Sequence, residues 1–74
     1  MDLLAEALLQ REDGDVKALI RKALGGHGLR RAELSLNVTN VVLDFEADTA
    51  TVDDELDPAV SVTVTLEELR RYSR

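Results

Sequence analysis

The hydrophobic residues change their spacing once along this chain, and that change restricts the folds open to it. Between Val16 and Leu24 the apolar residues recur every three or four positions, a pattern typical of an amphipathic helix. Between Leu34 and Leu66 they largely alternate with polar residues, a pattern typical of strands with one buried face. The chain is therefore predicted to be a two-layer α+β protein, with helices packed on one face of an antiparallel sheet.

Two helices are predicted before the sheet. Asp2 is placed to cap a first helix that ends near Arg11, and the acidic turn at 12–15 contains the cap of a second helix. The glycine-rich segment 25–28 ends this second helix, and one of its glycines is expected to adopt the left-handed conformation common at helix ends. The helical pair is predicted to span residues 2–25.

The first helix is apolar around most of its circumference, so it needs cover on more than one side. Two interpretations stay open. The helix lies between the sheet and its neighbouring helix, or it forms a homodimer contact through Leu3, Leu4 and Leu8.

The sheet is predicted at residues 32–65, with three to four antiparallel strands joined by short turns. The apolar positions change from even to odd numbers in its first half. A two-residue loop at Thr39–Asn40 explains this change and would place Leu36 opposite Leu43. A bulge within one long strand is the alternative explanation.

A second hairpin is predicted to turn at Asp48–Thr49, which would place Phe45 opposite Val52. Further along, Thr65 and Glu68 match the capping box Ser/Thr-x-x-Glu. This box predicts a C-terminal helix that begins at residue 66 and ends at 72. The complete predicted order is α-α-β-β-β-β-α.

Length and composition exclude several classes of function. Seventy-four residues hold one small domain (1–74) and leave no room for separate cofactor and substrate domains. The absence of cysteine excludes disulfides, thiolate metal sites and a thiol nucleophile. His27 is the only histidine, and its position in a glycine-rich segment favours a polar loop role over a catalytic one. We therefore predict that the protein is not an enzyme and has no cofactor or metal.

Negative charge is concentrated in the predicted sheet. Residues 32–69 contain ten acidic residues and no basic one, while the net charge of the whole chain is -6. Asp44, Glu46 and Asp48 are expected to project in a row from one strand, about 6.6 Å apart, with Asp53 opposite Asp44. The predicted partner-binding face comprises Asp44, Glu46, Asp48, Asp53, Asp54, Glu55 and Asp57.

Three interpretations of these acids stay open. They keep the surface solvated, they dock on a basic partner, or the four between 53 and 57 bind calcium, although the EF-hand pattern is absent. The predicted function is docking on a basic protein, as in an inhibitor, antitoxin or immunity-type neutraliser. The alternative is a homodimeric structural or assembly module without a specific partner for the acids.

Direct binding to nucleic acid or membrane is not expected. The net charge is negative, and Phe45 and Tyr72 are the only aromatic residues available for stacking on bases. No apolar run is long enough to cross a bilayer. Asp2 stands where a signal peptide carries positive charge, so a cytoplasmic location is expected.

Overall fold

The elements of the protein follow the predicted order α-α-β-β-β-β-α. The computed structural model describes residues 1–26 and 28–74, so His27 lies outside the described residues. The elements are α1 (Leu3–Gln10), α2 (Val16–Leu24), β1 (Arg31–Ser35), β2 (Thr39–Asp44), β3 (Thr49–Asp54), β4 (Ser61–Thr65) and α3 (Leu66–Tyr72). The strands form one antiparallel sheet in the order β1-β2-β3-β4. The predicted α+β class is therefore confirmed.

The helices cover one face of the sheet, and the core lies between the two layers. Burial alternates along β2 and β3, as it does when one face of a strand is covered. The core consists of Ala5, Leu8, Leu9, Val16, Ile20, Val41, Leu43, Ala50, Val52, Val64, Leu66 and Leu69. All these residues are aliphatic, which agrees with the scarcity of aromatic residues in the sequence.

Acidic caps begin the first two helices, as predicted. The Asp2 carboxylate accepts hydrogen bonds from the backbone N–H of Leu4 at 2.8 Å and of Ala5 at 3.4 Å. The Asp15 carboxylate accepts from the N–H of Ala18 at 3.0 Å. Each cap satisfies N–H groups that have no partner within the helix.

The first hairpin does not turn at Thr39–Asn40, so that prediction was wrong. Leu34 lies opposite Val41, and the connection occupies residues 36–38. Thr39 is a buried residue of β2 whose hydroxyl donates to the Leu8 carbonyl at 3.1 Å. Threonine also resists the positive φ that a two-residue hairpin turn requires. The register differs from the predicted one by an even number of residues, so the same face of each strand is buried.

The second hairpin was also predicted in the wrong register. Asp44 lies opposite Thr49, and the connection is a turn of residues 45–48. The Asp44 carboxylate accepts from the N–H groups of Glu46 and Ala47, both at 3.0 Å, and Asp48 has a φ of 60°. These bonds end β2 at Asp44 instead of continuing it.

The capping box of α3 is present. The Thr65 hydroxyl accepts from the Glu68 N–H at 3.1 Å, and the Thr65 N–H donates to the Glu68 carboxylate at 3.4 Å. The helix packs on α2, where Lys17 Nζ lies 5.0 Å from the centre of the Tyr72 ring. Within the described residues, none of the helices has the length and apolar character that crossing a bilayer requires.

The end of α2 differs in detail from the prediction. Its C-cap residue Gly25 has a φ of -81°, so the helix stops without a left-handed residue at that position. Positive φ angles occur at Gly14 (88°), before α2, and at Gly28 (74°), so the left-handed glycine of segment 25–28 is Gly28 and not the C-cap residue. A side chain is therefore strained at Gly14 and Gly28 but not at Gly25.

Alanine at Gly14 and at Gly25 should change stability in opposite directions. Gly14→Ala forces a side chain into the left-handed region and should lower the free energy of unfolding by about 1 kcal/mol. At Gly25 a Cβ would meet its nearest atoms at 3.6 Å, an ordinary contact. Gly25→Ala should therefore raise the free energy of unfolding by about 0.5 kcal/mol, because alanine lowers the conformational entropy of the unfolded chain. Urea unfolding measures both, and a loss of stability in Gly25→Ala would contradict this account.

Candidate functional site

The face of the sheet opposite the helices is open and polar. It carries Arg31, Glu33, Ser35, Asn40, Val42, Asp44, Thr49, Thr51, Asp53, Ser61, Thr63 and Thr65. Val42 is the one apolar side chain among these twelve positions. This face, referred to below as the open face, is where a partner can reach side chains held on a regular backbone.

One end of the open face contains a depression of about 530 Å³. We call it the acidic depression, and its lining residues are Glu33, Ser35, Asn40, Asp53, Asp54, Glu55, Pro58 and Ser61. Four of these side chains are carboxylates, and none of the eight is basic. The depression therefore has the charge of a site for a cationic group.

The floor of the acidic depression is a row of polar side chains that crosses all four strands. Ser35 lies opposite Asn40, Asn40 opposite Asp53, and Asp53 opposite Ser61. The Ser61 hydroxyl donates to the Asp53 carboxylate at 2.5 Å, and the Ser35 hydroxyl donates to the Asn40 side-chain oxygen at 3.1 Å. Strand pairing thus sets the spacing of this row, and the hydrogen bonds orient its side chains.

Asp54 has a structural partner within the protein. Its two carboxylate oxygens accept from the Arg11 guanidinium, each at 3.3 Å, and its side chain is only 13% exposed. The Leu56 N–H also donates to Asp54, at 2.9 Å. This backbone bond is the main cause that lowers the pKa of the Asp54 carboxyl; desolvation opposes it, and Arg11 lowers the pKa further.

Arg11 also holds the end of α1 against the first hairpin. Its guanidinium donates to the Val38 carbonyl at 3.2 Å and to the Thr39 hydroxyl at 3.1 Å. Beside it, the Glu12 carboxylate accepts from the Val38 N–H at 3.1 and 3.2 Å. Asp54 and Arg11 therefore belong to the framework of the site, while Glu33, Asp53 and Glu55 supply its remaining charge.

The predicted row of Asp44, Glu46 and Asp48 does not exist. Only Asp44 belongs to a strand, and the other two lie in the turn 45–48 because Asp44 caps that turn. Two arginines offset this group: Arg30 Nε is 3.3 Å from Glu46, and Arg31 lies opposite Asp44. Positive charge therefore lies close to Glu46 of the turn and to Asp44.

The other predicted acids lie in different environments. Asp53 is opposite Asn40 and not Asp44, so these two carboxylates do not face each other as predicted. Glu55 lines the acidic depression. Asp57 lies in the following loop, where it accepts from the Ala59 N–H at 3.1 Å.

Sequence reasoning missed Glu33 and Arg11. The sequence counts Glu33 only among the ten acids of residues 32–69, because its place in the acidic depression depends on the order of the four strands. Arg11 was treated only as the end of a helix, because its bonds to Asp54 join residues 43 positions apart. The excess of acids over bases in residues 32–69 was the available signal for Glu33.

The acidic loop does not form a metal-ion site with its described neighbours. Across residues 1–26 and 28–74, no group of three or more Asp, Glu or His side chains is arranged so that it could hold a metal ion. The calcium alternative for Asp53, Asp54, Glu55 and Asp57 therefore gains no support from these residues.

The three residues predicted as a dimer contact divide into two kinds. Leu8 is 4% exposed and belongs to the core of the monomer, so it is not available to a second copy. Leu3 and Leu4 are 82% and 45% exposed. One side of α1 is therefore buried in the core of the monomer, while Leu3 and Leu4 stay exposed to solvent.

Comparison with known proteins gives no guide to function. No protein-family model, no curated protein and no solved structure matches this chain.

Removal of the Asp54 charge should lower thermal stability at neutral pH but not in acid. The pKa of Asp54 is lowered in the folded protein, so its ionised form stabilises the fold above the ordinary value of 3.8. This contribution disappears as the pH falls through the lower, folded-state pKa. The melting temperatures of wild type and Asp54→Asn should therefore differ most near neutral pH and converge as the pH falls below the lowered pKa of Asp54.

Asp57→Asn is the control for this experiment. It also removes one carboxylate and keeps the side-chain oxygen that accepts from Ala59. No described cation forms an ion pair with Asp57. Equal loss of stability in the two variants at neutral pH would show that the ionised Asp54, bound by Leu56 and Arg11, contributes nothing specific.

Proposed function

We propose that this protein binds a basic segment of another protein in the acidic depression. The observation that carries the proposal is the sign of the lining charges: Glu33, Asp53, Asp54 and Glu55 are all acidic. The Arg11 guanidinium already donates its hydrogen bonds to Asp54, Val38 and Thr39 within the protein. A lysine or arginine of a partner supplies the missing positive charge.

The chemistry of the depression suits lysine and arginine. Carboxylates accept charge-assisted hydrogen bonds from ammonium and guanidinium groups, and these bonds are shorter and stronger than neutral ones. The Ser35, Asn40 and Ser61 side chains add neutral acceptors along the same row. The depression is open and the sheet beneath it is regular, which favours recognition of a surface over enclosure of a reacting substrate.

Binding of this kind makes the protein a candidate neutraliser. A partner whose own task depends on a basic surface loses that surface when an acidic protein covers it. Inhibitors, antitoxins and immunity-type proteins can act in this way. The proposed activity is therefore masking of a basic protein surface, with binding and no catalysis.

Neutralising the carboxylates of the depression should weaken binding of a basic peptide. The probe is a short Lys/Arg-rich peptide titrated into ¹⁵N-labelled protein, with amide chemical shifts as the readout. We expect the largest shifts at Ser35, Asn40, Asp53 and Ser61. The triple variant Glu33→Gln/Asp53→Asn/Glu55→Gln should bind about tenfold more weakly, since each exposed ion pair contributes roughly 0.2–1 kcal/mol.

A second variant with the same loss of charge distinguishes binding at the acidic depression from attraction by the net negative charge of the protein. Asp44→Asn/Glu46→Gln/Asp48→Asn also removes three carboxylates, and the Asn at position 44 keeps an oxygen for the turn. It should retain wild-type affinity. Equal weakening in both triple variants, or shifts centred on the turn 45–48, would reject the acidic depression as the site.

Salt should weaken the same interaction steeply. The Debye length falls from about 14 Å at 0.05 M salt to about 4 Å at 0.5 M, which screens exposed charges. The affinity for the basic peptide should therefore fall over this range. The matched probe is the same peptide with glutamine in place of lysine and arginine, and equal binding of the two peptides would rule out charge as the basis of recognition.

A further inference from the structure

The two edges of the sheet differ in chemistry. Natural edge strands are usually protected from pairing by charged side chains, proline or bulges. Strand β1 carries Arg31 and Glu33, but β4 has the sequence Ser-Val-Thr-Val-Thr, with no charge and no proline. Four of its five residues are β-branched, which favours the extended conformation. Strand β4 is therefore an edge that is ready to pair.

The outward backbone groups of β4 can be assigned from its ladder with β3. The Asp54 N–H donates to the Val60 carbonyl at 3.0 Å, and the Leu66 N–H donates to the Asp48 carbonyl at 3.1 Å. Even-numbered residues of β4 therefore form the hydrogen-bonded pairs with β3. The N–H and C=O groups of the odd-numbered residues, Ser61, Thr63 and Thr65, point away from the sheet.

Most of these outward groups lack a partner in the monomer. The Thr65 N–H is used in the capping box, where it donates to Glu68. In the part of the chain that the structure describes, no hydrogen bond reaches the N–H or C=O of Ser61 or Thr63. An added strand thus finds two consecutive outward residues with both groups free.

Helix α1 lies on the same side of the molecule as this edge. It packs over β3 and β4, and its exposed residues include Leu3 and Leu4. On α1, Glu6 borders a surface shared with Tyr72 of α3. Leu4 is two residues away, about 200° around the helix, so it lies on the flank that faces away from α3.

We propose that a second copy of this chain pairs its β4 antiparallel with this β4, around a twofold axis at Val62. Ser61 then lies opposite the partner's Thr63, and the free N–H and C=O groups of both residues are satisfied. On the helix-covered face, Val62 meets the partner's Val62 and Val60 meets the partner's Val64. One continuous sheet then runs through both copies.

The side chains that would face each other in this register favour a second copy of the chain as the strand that pairs with β4. In this register valine faces valine on one side of the sheet and serine faces threonine on the other, so no like charges are opposed. A basic partner has no carboxylate to bind within Ser61–Thr65. A twofold contact uses the same patch on both copies and therefore closes as a dimer without extending further.

Analytical ultracentrifugation of the full chain over a range of concentrations tests the proposal. The wild type should reach a mass near twice 8.2 kDa. Thr63→Pro removes an outward N–H that takes no part in the ladder with β3, a position where an edge strand tolerates proline. It should weaken dimerisation at least about tenfold, because each copy loses a hydrogen bond.

The control is Arg31→Pro, which removes an outward N–H from the other edge strand and should leave the dimer intact. A wild type that stays monomeric at every concentration would overturn the proposal, as would equal weakening by both substitutions. If Thr63→Pro does not fold, amide hydrogen exchange of the wild type decides. The Ser61 and Thr63 amides should become at least about tenfold more protected as the concentration rises, and unchanged exchange would refute the pairing.

Discussion

The bonds of Arg11 at the end of α1 hold the helical layer and the sheet in register. One guanidinium binds the last residue of β3, the carbonyl of Val38 and the hydroxyl of Thr39. The neighbouring Glu12 takes the Val38 N–H, and Thr39 donates to α1 through the Leu8 carbonyl. The inner side of α1 can then bury Ala5, Leu8 and Leu9, and the end of β3 is held where the acidic depression begins.

The parts of the fold that depend on neighbours in sequence were predictable. The caps at Asp2 and Asp15, the capping box at Thr65 and the alternation of β4 are local patterns, and each is present. The hairpin registers were not predictable, because alternation alone is equally satisfied when a strand slides by two residues. The buried hydroxyl of Thr39 and the turn-capping carboxylate of Asp44 decide the registers, and both act through three-dimensional contacts.

This shift in register moved the candidate site from one end of the sheet to the other. A row of acids along one strand would have made Asp44 the centre of a docking surface. With β2 ending at Asp44, Glu46 lies in the turn beside Arg30, and Asp44 lies opposite Arg31. The unbalanced charge instead collects across the other end of the sheet, from Glu33 on β1 to Asp53 on β3 and Glu55 in the following loop. This arrangement depends on the order of the strands and cannot be inferred from one strand alone.

Ser61 belongs to both surfaces. Its hydroxyl donates to Asp53 in the acidic depression, while its backbone faces the open edge of the sheet. If two copies pair as proposed, the pairing that orders Ser61 also orders the Asp53 carboxylate that it binds, so dimerisation and binding of a basic segment would be thermodynamically linked. If association of two copies raises the affinity for a basic segment by some factor, the segment must strengthen association by the same factor per site. The protein would then respond to its own concentration, because the fraction associated sets how tightly it holds a partner.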